Sequence, residues 1–258
     1  MNRRAFITST AAVAGASAFC TSAHAVEKDS SLGGIPGYTY RTPKFKTGTR
    51  LLFQGDSITD MNRGRNEADR NHYLGHSYVY LIAARLLVER AEDKLEFFNR
   101  GVGSSTMPDM VKRWEKETIE SKPDLVSVLF GVNDVRRFIQ GTTPEQWESD
   151  YRSVLDATRK ANPQTDFVLL DPFVLPSGPL KNPDEFKKWR AEIDRMLPIV
   201  DQLCMDFNAV HIKTQAVFDA AAQAVSPEYW IWDGIHPLPQ GQELIARNWL
   251  QETSARWK

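Results

Sequence analysis

Apolar residues recur along this chain in two rhythms. Short apolar runs bounded by Gly, Pro, Asn or Asp alternate with longer stretches in which apolar positions return every three or four residues. The short runs read as buried strands and the longer stretches as amphipathic helices. Strands are predicted at residues 50–53, 95–98, 124–130, 166–170 and 209–212. The third is almost wholly apolar, so both of its faces are buried. Between the first two strands, Val79, Ile82, Leu86 and Leu87 mark a helix over 78–91. A second helix follows Pro108 to about residue 120. Thr143-Pro144-Glu145 opens a third, with a threonine cap and proline at the first helical position. It runs to about residue 160. Residue 183 starts a long helix that ends near 207, and Pro198 inside it predicts a break. Helices over 214–224 and from 239 to about 257 complete the set. Five strands alternating with helices predict a three-layer α/β/α fold with a mostly parallel sheet and right-handed crossovers. Every strand then ends at one rim, and open α/β sheets bind their ligands there.

The pattern changes before residue 46. Asn2-Arg3-Arg4-Ala5-Phe6-Ile7 places paired arginines ahead of an alanine-rich apolar segment, and Ala23-His24-Ala25 offers a small-x-small cleavage site. Residues 1–25 therefore read as a signal peptide, of the twin-arginine type, and a periplasmic or secreted location is expected. The segment is too short, and too rich in Ser and Thr, for a membrane span. Residues 26–45 are polar and rich in Gly, Pro and Ser and read as an extended arm, leaving 46–258 as one domain. Of two cysteines, only Cys204 survives cleavage, so no intrachain disulfide is expected. Formal net charge is −1 with no basic stripe, which argues against nucleic acid as a partner. No later stretch is apolar for long enough to insert in a membrane.

The predicted rim gathers reactive residues. Leu51-Leu52-Phe53-Gln54-Gly55-Asp56-Ser57 carries a strand directly into a turn bearing a serine. A serine there is a candidate nucleophile, although Ser and Asp are also ordinary helix caps. The Gly/Ser-rich loop Asn99-Arg100-Gly101-Val102-Gly103-Ser104-Ser105-Thr106 follows the second strand, and Gly131-Val132-Asn133-Asp134 follows the third. Trp230-Ile231-Trp232-Asp233-Gly234-Ile235-His236-Pro237 precedes the last helix. Acyl transfer needs a nucleophile, a base, a group that orients the base, and donors for an oxyanion. Ser57 is the candidate nucleophile and His236 the candidate base, since imidazole exchanges its proton near neutrality. Asp233 stands three residues earlier, a spacing that one helical turn would place on the same face. The Ser57 N–H, an N–H of the second loop and the Asn133 amide would serve an oxyanion. Each feature has a plainer reading: Asn133-Asp134 and Asp233-Gly234 are common turns, and His236 before proline suits a loop. His72, His76 and His211 are the remaining possible bases; His211 lies in a strand and reads as structural, and His76 stands at a helix start beside the long polar loop 61–75. Asp56, Asp60, Asp134 and Asp171 near the rim offer a second chemistry, a divalent cation and phosphoester hydrolysis. Trp230 and Trp232 can form a sugar platform or pack the last helix.

Taken in order, these stretches resemble the SGNH hydrolases, also called the GDSL esterase/lipase family. Gly55-Asp56-Ser57-Ile58 resembles the first block, whose serine is the nucleophile. Gly131-Val132-Asn133-Asp134 is similar to the third block, whose asparagine is an oxyanion donor, and Asp233-Gly234-Ile235-His236-Pro237 to the last, which holds the acid and base of a triad. The second block departs: where the family usually has Asn-x-Gly-x-x-Gly, the last position here is Ser104, with Gly103 before it. A backbone N–H can come from either, so the donor role is carried to Ser104 with Gly103 as the alternative. Thr59 stands where a nucleophile elbow of the unrelated α/β-hydrolases has its second glycine. The resemblance implies a flavodoxin-like fold, no cofactor, and ester hydrolysis by Ser57, Asp233 and His236 with an oxyanion hole from Ser57, Ser104 and Asn133. The resemblance implies a small-molecule or polysaccharide ester as substrate: the family includes sugar O-acetylesterases, lysophospholipases, thioesterases and lipases, and a lysophospholipase- or thioesterase-type hydrolase is the alternative within it. The export signal, the tryptophans and the polar 61–75 loop lean towards acetyl esters of carbohydrate. A carbohydrate-binding protein on an inactive scaffold is the reading from another class.

Overall fold

The computed structural model describes residues 42–258. The expected signal peptide and nearly all of the arm lie outside the described residues. Strands β1 (Arg50–Gly55), β2 (Glu96–Asn99), β3 (Leu125–Leu129), β4 (Asp166–Leu170) and β5 (Val210–Ile212) form a sheet of order β2-β1-β3-β4-β5. All the pairings are parallel. The helices are α1 (Ser57–Asp60), α2 (Tyr78–Glu89), α3 (Met107–Trp114), α4 (Val135–Ile139), α5 (Pro144–Ala161), α6 (Pro183–Asp206), α7 (Thr214–Ala224), α8 (Pro227–Trp230) and α9 (Pro239–Arg256). This is the expected three-layer α/β/α architecture. The chain leaves β1 towards β2 on one side and returns to β3 on the other. The crevice at that switch point, between the carboxyl ends of β1 and β3, is where this topology places ligands.

Two helical layers close the sheet. On one side α9 packs with α2, and on the other α3, α5 and α6 pack together. Trp249 of α9 is fully buried; its ring lies 5.6 Å from that of Phe53, and its indole N–H donates to Ser127 Oγ at 3.0 Å. Phe45, at the end of the expected arm, is itself buried, 5.2 Å from the Trp257 ring. On the opposite face the Trp114 indole donates to Thr158 Oγ1 at 2.9 Å, tying α3 to α5. In both layers a tryptophan N–H and a buried hydroxyl, one on a strand and one on a helix, satisfy one another inside an apolar core, as burial of polar groups requires.

Two elements differ from the sequence expectation. The predicted break at Pro198 does not occur, and α6 runs through it. Met196, Val200 and Leu203 on the flanking turns are fully buried, and that packing offsets a proline cost of about 3 kcal/mol. The helix after Pro108 starts at Met107 and passes into a wider π turn at Glu115–Ile119. The π turn buries Thr118, whose hydroxyl accepts from Gln54 Nε2 at 2.9 Å.

The Trp249–Ser127 bond generates a stability prediction. Ser127→Ala leaves a buried indole N–H without its acceptor and should cost about 1–3 kcal/mol. Thermal melting should show it as a fall of roughly 2–10 °C, with the fold unchanged by circular dichroism.

Candidate active site

The serine turn is built by steric need. A Cβ on Gly55 would meet Thr59 Oγ1 at 2.1 Å and the Leu129 carbonyl at 2.8 Å, so the strand can only turn there on glycine. Asp56, not Ser57, then caps α1, its Oδ1 accepting the Ile58 N–H at 2.9 Å. The cap role considered for the serine is therefore taken by its neighbour. Ser57 becomes the first helical residue, and its Oγ lies 2.8 Å from His236 Nε2. His236 Nδ1 lies 2.6 Å from Asp233 Oδ2. A carboxylate only accepts, so Nδ1 carries the ring proton and Nε2 faces the serine with a lone pair.

Asp233 and His236 do not share a helix face, as their spacing suggested. They lie in a bend where Gly234 adopts φ 92°. A Cβ at Gly234 would meet the Leu180 side chain at 2.7 Å. The bend is held by Asp233 itself: its Oδ1 accepts the N–H of Ile235 at 3.0 Å and of His236 at 2.7 Å. One carboxylate oxygen thus fixes the backbone and the other fixes the ring.

The second loop comes down beside the serine. A Cβ on Gly103 would lie 3.9 Å from Ser57 Cβ. The Gly103 N–H is already engaged, donating to Asp60 Oδ2 at 3.1 Å. Ser104 is exposed, at φ 62°, and among the described residues its N–H has no acceptor. Asn133 enters from the β3 side, and its Nδ2 donates one proton to the Ser105 carbonyl at 3.0 Å. The same amide has a second proton to offer. The loop thus has Gly103 beside Ser57 and Ser105 bound to Asn133, and between them Ser104 rather than Gly103 holds the uncommitted N–H.

With this geometry in view, the comparisons are specific. A model of the GDSL-like lipase/acylhydrolase family matches residues 53–244. An acetylxylan esterase of Geobacillus stearothermophilus is 30% identical over 224 residues, covering 83% of this chain and 98% of that enzyme. The chain belongs to the GDSL-like lipase/acylhydrolase family. Its fold superposes on a crystal structure described as a GDSL-like lipase of Parabacteroides merdae with a TM-score of 0.76, 33% identity, and coverage of 82% of this chain and 98% of that one. The crystal structure of the Geobacillus acetylxylan esterase gives a TM-score of 0.71 at 30% identity, covering 81% and 96%. Membership makes this chain a serine-type carboxylic ester hydrolase.

Within this family member the rim carboxylates differ in acidity. Burial alone would raise the Asp233 carboxyl, but the His236 and Ile235 N–H groups and the imidazole bring it below the usual range. Asp56 is fully enclosed, and burial pushes it up to about 6. Burial likewise pushes Asp134 up to about 7, although both of its oxygens accept the Met107 N–H at the start of α3. The four aspartates considered for a cation do not converge. Asp56, Asp60 and Asp134 each hold separate backbone N–H groups, and Asp171 holds His211 Nε2 at 2.7 Å. Among the described residues no cluster of three His, Cys, Asp or Glu is placed to hold a metal ion.

The remaining candidates sort by position. His211 sits between Asp171 and Asp201, as a structural strand histidine would. His72 is exposed and pairs with Asp69, and the backbone N–H of His76 donates to Met61 O at the end of α1. Trp230 packs, its indole donating to the Ala221 carbonyl at 3.1 Å, whereas Trp232 is 62% exposed directly before Asp233. Arg136 lies exposed over the Trp189 ring, and Arg137 leans back to Asp134.

Three residues take roles that the sequence did not assign to them. Asn99 is buried; its Nδ2 donates to Thr59 O at 2.7 Å and Leu74 O at 2.9 Å, and its Oδ1 accepts the Gly101 N–H at 2.9 Å. Arg113 of α3 donates to Gln54 Oε1, Arg100 O and Gly55 O. Asp60 receives Arg65 at both oxygens. The one available signal was that Asp60 follows Ser57 by three residues, a single helical turn.

Ser104 yields a prediction, because a non-glycine residue at φ 62° carries about 1–2 kcal/mol of strain. Glycine relieves that strain but costs about 0.5–1 kcal/mol in chain entropy. Ser104→Gly should raise the melting temperature by roughly 1–4 °C and keep esterase turnover, since the N–H remains. Loss of turnover would mean that the Ser104 hydroxyl, not its backbone, matters.

Proposed function

We propose that this family member removes acetyl groups from carbohydrate esters through an acyl-enzyme on Ser57. The observation that carries the reading is the unbroken chain Ser57 Oγ···His236 Nε2 at 2.8 Å and His236 Nδ1···Asp233 Oδ2 at 2.6 Å. Ser57 Oγ attacks the acyl carbon while its proton passes to His236 Nε2. The imidazolium so formed is stabilised by Asp233, which stays ionised. The carbonyl oxygen becomes an oxyanion held by the N–H groups of Ser57 and Ser104 and by Asn133 Nδ2. Collapse breaks the ester C–O bond, and His236 returns the proton to the departing sugar oxygen. Water then attacks the acyl carbon, with His236 taking its proton. Acetate leaves and Ser57 regains its hydrogen.

The substrate class rests on the 30% identity with an acetylxylan esterase and on Trp232, whose exposed face adjoins Asp233. An exposed indole offers a broad apolar face and an N–H donor, which suits the apolar face and hydroxyls of a sugar ring. The paired arginines and apolar segment at the N-terminus support export to where polysaccharide is met.

Release of acetate from acetylated xylo-oligosaccharide, measured for the mature chain, tests this. Ser57→Ala should lower kcat by at least roughly a thousandfold, and Asp233→Asn by roughly a thousand- to ten-thousandfold, both with the fold intact. A chelator should leave the wild-type rate unchanged. Activity that survives Ser57→Ala would overturn the mechanism, and preference for long-chain acyl esters over acetylated sugar would overturn the substrate class.

A further inference from the structure

Asp60 stands at an unfavourable place for a carboxylate. It ends α1, three residues after the proposed nucleophile, and its side chain is only 11% exposed. Its Oδ2 accepts the Gly103 N–H at 3.1 Å, one residue before the uncommitted Ser104 N–H. The same site is where an oxyanion would develop, and like charges close together repel. Arg65 answers this. Its Nη1 and Nη2 reach Asp60 Oδ1 at 2.9 Å and Oδ2 at 2.7 Å, a two-point pairing that a planar guanidinium makes and an ammonium cannot. Oδ1 also accepts the Arg63 N–H at 3.2 Å, so the carboxylate ties the 61–75 segment to the loop after β2. The Arg63 side chain is directed elsewhere, its Nε donating to Gly101 O at 2.8 Å. Gly101 packs so closely that a Cβ there would lie 2.4 Å from Asp60 N.

We propose that Asp60 and Arg65 form the positioning device of the oxyanion loop. Asp60 holds the loop by the Gly103 N–H, which leaves Ser104 as the loop's donor, and Arg65 neutralises Asp60 beside the developing oxyanion. The assignment rests on the acyl-enzyme reading above. Neither residue touches the reacting atoms; both act through the loop.

A four-way cycle on p-nitrophenyl acetate hydrolysis tests it, using wild type, Asp60→Asn, Arg65→Ala and the double variant, with Ser57→Ala as control. Arg65→Ala leaves a carboxylate uncompensated and should lower kcat roughly 10- to 100-fold with KM little changed. Asp60→Asn keeps an acceptor for Gly103 without the charge and should cost only about three- to fivefold. The double variant should be no slower than Asp60→Asn, so that removing the carboxylate rescues the loss of the arginine. Arg65→Lys keeps the charge and should recover most of kcat, whereas Arg65→Gln should resemble Arg65→Ala. Arg65 is exposed, so these variants should melt close to wild type. Additive losses in the double variant, or Arg65→Gln matching wild type, would overturn the proposal. Retained activity in Ser57→Ala would instead overturn the acyl-enzyme reading beneath it.

Discussion

Backbone polar groups that leave a buried sheet must find partners before they reach water, and at this rim one side chain supplies several of them. Asn99 ends β2 and is buried. It joins the last turn of α1, the 61–75 segment and the loop after β2 by donating to Thr59 O and Leu74 O and accepting from Gly101 N. Each bond answers a group that would otherwise be buried unpaired at a cost of about 1–3 kcal/mol. The serine turn, the polar segment and the oxyanion loop are therefore not three independent loops. One amide bridges all three, and the Asp60 carboxylate and the Arg63 guanidinium add bonds between the same segments; the close approach of Gly101 to Asp60 needs the absence of a Cβ there.

Charge is arranged with the same economy of parts. Asp56 is enclosed and is pushed up to about 6 by burial, against the opposing pull of the Ile58 N–H and, more weakly, of Arg113. Asp233 is less enclosed and rich in N–H donors, and it stays below the ordinary carboxylate range. Asp60 lies between these cases: burial opposes its charge, and Arg65 restores it. Three carboxylates within one rim thus have separate duties, capping a turn, orienting an imidazole and holding a loop. Their environments, not their residue type, make the difference.

Much of this was legible in the sequence. The five strands announced themselves by short apolar runs, and Ser57, Asn133, Asp233 and His236 each fall in a loop at the predicted rim. What the sequence could not convey is how two of those residues meet. A spacing of three suggested a helical turn for Asp233 and His236, but Gly234 at φ 92° and the Leu180 side chain impose a bend. Pro198 misled for a related reason: local chemistry argued for a break, and burial of the adjoining turns outweighed it. Trp230 and Trp232 could not be separated by pattern, because one closes α8 against α7 and the other follows the Ile231–Pro237 bridge out to the surface. Asn99 and Asp60 were legible only as the head of the second block and as a possible cation ligand; the roles they take depend on backbone groups distant in sequence, and the Arg65–Asp60 pairing had no pattern to announce it.

The most direct measurement is peptide mass mapping after reaction with a fluorophosphonate, which phosphonylates an activated serine with loss of fluoride. The account predicts a single adduct, on the peptide containing Ser57, formed in step with loss of esterase activity and absent in His236→Ala. An enzyme that is fully labelled elsewhere, or that continues to hydrolyse esters with Ser57 modified, would contradict it.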